Sequence, residues 1–552
     1  MNAISFDAEF LWRNQMNKRI NLKSLLLILA LMLSFAGGVF QASAKPNNPN
    51  KGNNNGKKWE DKVHPGKGKG LVETINIVAI NDFHGNVAES GSNPGIAKVA
   101  GAINELRKKN QTFFFSSGDN FQGSAVSNLT HGAVVNEAFK EMDLMASAIG
   151  NHEYDWGADL IAEWSEDGGY PFLASNIVYK DSGEPVDYAD PYMIQTVKLK
   201  HGHKVKIGYI GIATPETATK TAAANVADIE FTDPSDAGNF WANYLRKEKD
   251  VDVVVALTHL GAFQSDGQIT GEAADFANET EGIDLIISGH THQTIDGHVN
   301  GVQILQAWYA GRALQVAQLN FNKIDGRLLN VDGYVKRLNN KDEYIPPVDQ
   351  KVAKIVEEYQ IALDPILSEV IGYNEQELAH DTSKGLTPLG QWTAKALSEI
   401  GNTEIGLING GGIREPLPAG DITMGTMYSL FPFDNTLVTM EVSGELLHSL
   451  IEHLITSSGA GAGQFYGVRA EVNGLEVTKL TLLDGTEVDP SATYTLSTLD
   501  FIYTGGDRYD FTGATNVLDT FQPVRDLLVD YIETNTPPID HTFDASAYVN
   551  VN

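Results

Sequence analysis

A chain of 552 residues is too long for one hydrophobic core and calls for two folded domains with further segments attached. With 42% hydrophobic and 20% charged residues, it is neither disordered throughout nor a multi-span membrane protein. The 40 basic against 71 acidic residues give a net charge of −31, which argues against coating nucleic acid. The absence of cysteine excludes disulfides, zinc fingers and thiol catalysis.

The charge is unevenly placed. Residues 1–44 carry 4 basic and 2 acidic groups and residues 45–70 carry 7 and 2, so the remaining body carries −38. Such a body needs metal ions or arginines wherever it handles an anion. Lys18, Arg19 and Lys23 precede an apolar run from Leu25 to Phe40, which ends in Ala42-Ser43-Ala44. A basic start, an apolar run and an A-x-A site predict a cleaved secretory signal over residues 1–44, with Met16 as the expected true start. The run is shorter than the ~20 apolar residues that span a bilayer. No cysteine follows it, so neither a lipid nor a membrane anchor is expected in the mature chain. Residues 45–70, rich in Asn, Gly, Lys and Pro, read as a flexible leader. The expected destination is the periplasm or the medium.

From Leu71 the pattern becomes strand, loop, helix, repeated. Buried strands are expected at Ile75–Ile80, Thr112–Phe115, Val205–Ile212, Val251–Leu257 and Ile283–Ile287, with helices at Gly95–Lys109, Ala133–Met142 and Asp236–Glu248. This alternation predicts an α/β layered domain with a largely parallel sheet core, over residues 71–345. Val348–Val370 predicts a helix with Pro365 as a kink, and residues 346–371 would join two domains. Residues 372–552 form a second, smaller α/β unit with helices at Leu389–Ile400 and Gly444–Ile455.

Several of those strands, together with one helix exit, run into polar motifs rich in metal-ligand types. They are Asn81-Asp82-Phe83-His84-Gly85, Gly118-Asp119-Asn120-Phe121-Gln122-Gly123, Gly150-Asn151-His152-Glu153-Tyr154-Asp155, Thr258-His259-Leu260-Gly261 and Ser288-Gly289-His290-Thr291-His292. The stretch Ala146–Ile149 before the third is read as the helix exit. In open α/β sheets, strand carboxyl ends converge on one crevice, so residues far apart in sequence can share a cavity. Any one motif alone is more simply a loop with a capping Asp or a solvated His; the ordered set reverses that preference. His131, His201, His203, His298 and His380 lack such settings and are read as surface or structural.

Two aspartates, three or four imidazoles and an amide oxygen suit Zn²⁺, Mn²⁺ or Fe better than Ca²⁺ or Mg²⁺. Seven candidates exceed one tetrahedral ion and fit two divalent metals about 3.5–4 Å apart if one carboxylate bridges them. Asp119, the lone ligand type in its motif, is the natural bridge.

These five motifs, in this order, resemble the calcineurin-like metallophosphoesterase superfamily, and the second unit narrows the resemblance to secreted 5′-nucleotidases, a family that includes bacterial UDP-sugar hydrolase. The resemblance covers roughly residues 72–535. It implies a four-layer αββα metal domain, a bridging helix and a C-terminal substrate domain. One metal would use Asp82, His84, Asp119 and His292; the other would use Asp119, Asn151, His259 and His290. Position 292 departs from relatives that carry Gln or Asn, which bears on metal preference.

The three-residue separation of His152 and Asp155 permits the carboxylate to orient the imidazole and favour its protonated form. Similar nucleotidases use this pair beside the phosphate, as the catalytic residues. The expected reaction is in-line attack of a metal-activated water on phosphorus, with His152 stabilising charge on the phosphoryl group.

In the second unit, Asn409-Gly410-Gly411-Gly412-Ile413-Arg414 follows the apolar Ile405–Ile408, and Arg414 could present a planar fork to phosphate or a hydroxyl. The resemblance adds Phe433 and Phe501 as two faces of a base clamp, with Asn435 and Asp507 bonding base or ribose. Substrate binding is thus expected at Asn409, Gly411, Arg414, Phe433, Asn435, Phe501 and Asp507. Relatives carry arginine just ahead of the Leu-Gly that opens the first helix of this unit; here Leu389-Gly390 is preceded by Lys384. Lysine lacks the bidentate fork, so ribose or leaving-group contacts are expected to differ.

The expected activity is hydrolysis of nucleoside 5′-monophosphates, with di- and triphosphates as further candidates. The alternatives are a 2′,3′-cyclic-nucleotide phosphodiesterase, a UDP-sugar hydrolase, or a nucleoside- or metal-binding surface protein without turnover. The His152-x-x-Asp155 pair leans toward the 5′-nucleotidase, because related cyclic phosphodiesterases can carry Asn at the second position. The expected partner is the nucleotide substrate, with no nucleic-acid polymer, and the mature chain is expected to be a monomer.

Overall fold

The computed structural model describes residues 71–338, 344–456, 463–535 and 537–550. The expected signal, start site and leader lie outside the described residues, as does the side chain of Lys384.

Two six-stranded sheets build the first half. One runs Leu328–Arg337, Ala313–Asn322, Val72–Ile80, Gln111–Ser116, Leu144–Ala148, Phe172–Leu173; the other runs Thr294–Val299, Val302–Ala307, Leu285–Ile287, Val253–His259, Lys204–Ala213, Tyr192–Lys198. The strands rich in Val and Ile are buried on both faces, which is why they read as continuous apolar runs. Within Val72–Ile80 the alternation sorts the faces: Ile75, Ile77 and Ala79 join Val255, Leu257 and Ile287 between the sheets, while Val78 and Ile80 face outward. The helices Ile96–Arg107 and Ala133–Glu141 cover that outer face, and Pro234–Glu248 and Glu272–Glu279 cover the far side of the other sheet. The result is a four-layer αββα stack.

One expectation about the strands needs correction. The stretch before Gly150 is not a helix exit but a strand, Leu144–Ala148, parallel to Gln111–Ser116. The largely parallel sheet core is as expected: the sheet centres are parallel, while Ala313–Asn322, Leu328–Arg337, Tyr192–Lys198 and Thr294–Val299 pair antiparallel toward the edges. Asn300-Gly301, with φ of 50° and 83°, is the left-handed two-residue hairpin turn that marks one of these edges.

The helix Gln350–Leu367 is capped by Asp349, whose side chain accepts from the N–H groups of Lys351 and Val352. Val352 and Val356 are buried in the first half's core. Pro365 lies in the last turn, so it ends the helix rather than kinking its middle. Beyond it, a five-stranded sheet runs Gln464–Tyr466, Ile405–Ile408, Thr493–Leu499, Thr436–Ser443, Thr515–Pro523. Helices Pro388–Gly401 and Gly444–Thr456 pack on this sheet in a separate core.

Candidate active site

Every ligand-bearing loop leaves the carboxyl end of a parallel strand, three from one sheet and two from the other, so the geometry of the stack brings them to one edge. Asp82, His84 and His292 offer ligand atoms that all lie within 4.8 Å of one another, and so do Asp82, Asp119 and His259. His290 joins them: its peptide N–H donates to both Asp82 oxygens, at 3.1 and 3.0 Å, and its Nδ1 lies 3.1 Å from Asn151 Oδ1. All seven expected ligands therefore meet. Asp82 serves both three-residue groups, which motif order alone did not indicate.

The ring nitrogens test whether this donor set fits a cation. His84 Nδ1–H donates to the Gln122 carbonyl at 3.0 Å, and His259 Nδ1–H donates to the Ser117 carbonyl at 2.6 Å. His290 Nε2 faces Glu216 Oε2 at 3.1 Å. Each partner fixes the tautomer and leaves the other nitrogen's lone pair aimed inward. The inward atoms face one another, His84 Nε2 to His292 Nε2 at 3.2 Å and His259 Nε2 to Asp119 Oδ2 at 3.0 Å. His259 Nε2 is fully buried and meets only carboxylate oxygens there, Asp119 Oδ2 and, at 3.9 Å, Asp82 Oδ1. Ring nitrogens and two carboxylates converging on one buried space fit a divalent ion bound by nitrogen and oxygen.

The charges agree. Burial alone would raise Asp82, but His292 and His259 hold it down to about 2. Asp119 lies well below the carboxylate range because His259 and His152 outweigh its burial. Burial would lower His259, yet Asp119 and Asp82 push it up to about 10. Two buried carboxylates thus demand positive charge at the place where a metal ion would supply it.

The backbone is strained at the same place. Asp82, His84, Asp119, His290 and His292 all have φ between 49° and 76°, which side-chain-bearing residues rarely adopt. The neighbouring Gly85 and Gly118 carry such angles too, at 63° and 88°, so the strain is shared between glycines and candidate ligands. A residue outside the expected set helps hold them. The buried Glu153 carboxylate accepts from the peptide N–H groups of Asp119 (2.8 Å), Asn120 (2.8 Å) and Gly150 (2.7 Å). Burial and the nearby Asp119 charge raise Glu153 to about 7, against the pull of those N–H groups. Its place in the Gly-Asn-His-Glu motif was visible, but the partners that give it a task were not.

His152 Nδ1 lies 2.7 Å from Asp155 Oδ2. Burial would lower this imidazole, but Asp155 and then Asp119 outweigh it and raise the group above its ordinary value. The ring sits edge-on to His84, 5.2 Å between centroids, and stacks at 5.7 Å on Phe433 from the second half of the chain. Arg414 lies 5.8 Å above the same Phe433 ring. Asn409 Nδ2 donates to Asp507 Oδ2 at 2.7 Å, and Lys220 Nζ lies 2.7 Å from Asp507 Oδ1. Gly411 belongs to the short helical turn Gly410–Gly412, and Arg414 Nη1 reaches its carbonyl at 3.5 Å. Phe501 lies in the turn Asp500–Tyr503 and packs against Gly506, while the Asn435 carbonyl accepts from Val524. His380 bridges Thr387 and the Gly410 carbonyl, a structural role.

Residues 75–294 match the family model for calcineurin-like phosphoesterases, and residues 370–514 match that for the 5′-nucleotidase C-terminal domain. The endonuclease YhcR of Bacillus subtilis is 29% identical over 508 residues, covering 85% of this chain but only 40% of that protein. Protein UshA of Yersinia enterocolitica is 27% identical, covering 86% of this chain and 92% of its own. The crystal structure of a 5′-nucleotidase precursor from Thermus thermophilus superimposes with a TM-score of 0.75 at 22% identity, over 87% of this chain and 99% of that one. With both matched domains in order on this fold, the chain belongs to the calcineurin-like phosphoesterases that carry a 5′-nucleotidase C-terminal domain, a family of metal-using phosphoester hydrolases.

Proposed function

We propose that the protein is an exported hydrolase that removes phosphate from nucleoside 5′-monophosphates, with di- and triphosphates as further substrates. The observation that carries this reading is the adjacency of the seven-ligand cluster, the His152–Asp155 pair and the Phe433–Arg414 wall at one domain boundary. A phosphoester bound there would have its phosphoryl end at the cluster and its base toward the second domain.

Asp82, His84, Asp119 and His292 would hold one divalent ion, and Asp119, Asn151, His259 and His290 a second. When bound, such ions acidify water and neutralise phosphoryl oxygens. Around them, this chain's own residues divide the work. Asp155 fixes His152 through Nδ1 and leaves Nε2–H to meet a phosphoryl oxygen as negative charge develops. The same proton is placed to pass to the leaving alkoxide. Arg414 contributes a planar cation to a phosphate otherwise surrounded by an acidic body. Phe433 and Phe501 would stack on the base, and Asn409, Gly411, Asn435 and Asp507 would orient base and ribose. Lys384, in place of arginine, would weaken the bidentate part of that recognition.

The endonuclease relative is matched over less than half its length, so its activity does not carry to this chain. Export is supported by the basic, apolar and A-x-A order of residues 18–44; among the described residues no helix is long and apolar enough to cross a membrane. Mature protein assayed with Mn²⁺ or Zn²⁺ against AMP, 2′,3′-cyclic AMP, UDP-glucose and single-stranded DNA tests the proposal. Fastest phosphate release from AMP is expected. Preference for the cyclic or sugar substrate, or no release at all, would overturn it.

A further inference from the structure

Of the histidines whose tautomers are fixed here, His84 and His259 are anchored to backbone carbonyls. His290 is anchored differently, by the Glu216 side chain, in the loop after strand Lys204–Ala213. The other Glu216 oxygen is held from the second domain: Arg508 Nη2 donates to Oε1 at 2.8 Å. One turn along, Lys220 of the first domain meets Asp507 of the second at 2.7 Å. Acid and base are thus crossed between adjacent positions, so both pairs are satisfied in one seating of the domains. Asp507 and Arg508 also both carry positive φ, 51° and 63°, consecutive strained residues that point both charges at the first domain.

We propose that Glu216 is a positioning residue through which the seating of the second domain sets the His290 ligand. The inference rests on the metal reading given above. A ligating imidazole is oriented by whatever its outer nitrogen meets, and losing such a partner costs roughly 10–100-fold in metal affinity. A carbonyl in a packed loop cannot leave; a partly exposed carboxylate can, unless its far oxygen is also held. Arg508 supplies that hold. One metal site is therefore tighter when the two domains are joined than when they are apart.

The test is titration of chelator-treated protein with Mn²⁺, followed by electron paramagnetic resonance and calorimetry. Wild type is compared with Glu216→Ala, Glu216→Gln, Arg508→Gln and the Gln–Gln double variant. Glu216→Ala removes both contacts and is expected to weaken one site about 10–100-fold. Glu216→Gln keeps an acceptor for His290 but turns an amide toward Arg508, and is expected to match Arg508→Gln at about 3–10-fold, a part of the full loss. The double variant should be no worse than either single, because all three break one relay. Arg508 is exposed, so circular dichroism melts of Arg508→Gln should overlay wild type. Weakening by Glu216→Ala alone, with Arg508→Gln unchanged, would overturn the coupling between domains. Unchanged affinity in every variant would overturn the role of Glu216. Wild type that takes up no divalent ion would instead remove the metal reading on which both stand.

Discussion

The peptide N–H of His152 donates to Asp119 Oδ1 at 2.9 Å, so the loop that presents the candidate acid is tied directly to the carboxylate placed between the metal ligands. Its imidazole is oriented from the other side by Asp155. Replacing Asp155 with Asn removes the negative charge while keeping the shape. Turnover of AMP is expected to fall about 10²-fold with bound metal unchanged, the range for losing general acid assistance. Steady-state kinetics beside metal analysis checks it.

Glu153 carries a structural prediction. Its carboxylate satisfies three buried peptide N–H groups in two ligand loops. Glu153→Ala leaves them unpaired, at about 1–3 kcal/mol each. A loss of roughly 3 kcal/mol or more is expected in urea unfolding. Glu153→Gln, which keeps one acceptor oxygen, should lose less.

Under the proposed function, a Phe433 variant would separate base recognition from phosphate chemistry. Stacking on a base contributes about 1–3 kcal/mol, so Phe433→Ala should cut kcat/KM for AMP roughly 5- to 150-fold relative to kcat/KM for glycerol phosphate, which has no base. An equal fall for both substrates would place Phe433 in support of His152 instead, on which it stacks.

Asp507 has both oxygens engaged, one by Lys220 and one by Asn409. If Asp507 binds ribose as proposed, the Lys220 contact must open. A carbodiimide, which joins a touching amine and carboxylate, is expected to lock the domains and suppress turnover while metal content stays constant. Lys220→Met should resist that inactivation, and full activity of the linked protein would contradict domain gating.

Sequence alone carried the fold a long way because its central strands, such as Val253–His259, are buried on both faces and read as unbroken apolar runs. The edge strands did not announce themselves. Leu328–Arg337 is mostly exposed or half-buried and holds Asn, Asp, Gly and Lys, so no apolar period marks it. Likewise Leu144–Ala148 is short and small, indistinguishable locally from a helix end.

At the site, residue types and strand-end position pointed to the seven side chains that the structure gathers. What stayed hidden was everything that depends on a distant partner. Glu216 looks like one more surface acid until His290 and Arg508, 74 and 292 positions away, are seen against it. Glu153 stands in a legible motif, yet only the fold brings it the Asp119 and Asn120 peptides.

The most direct measurement is anomalous diffraction from crystals soaked to saturation with Mn²⁺ or Zn²⁺. Two peaks about 3.5–4 Å apart, both in contact with Asp119, are the predicted result. A single peak, or a pair that leaves Asp119 untouched, would contradict the account.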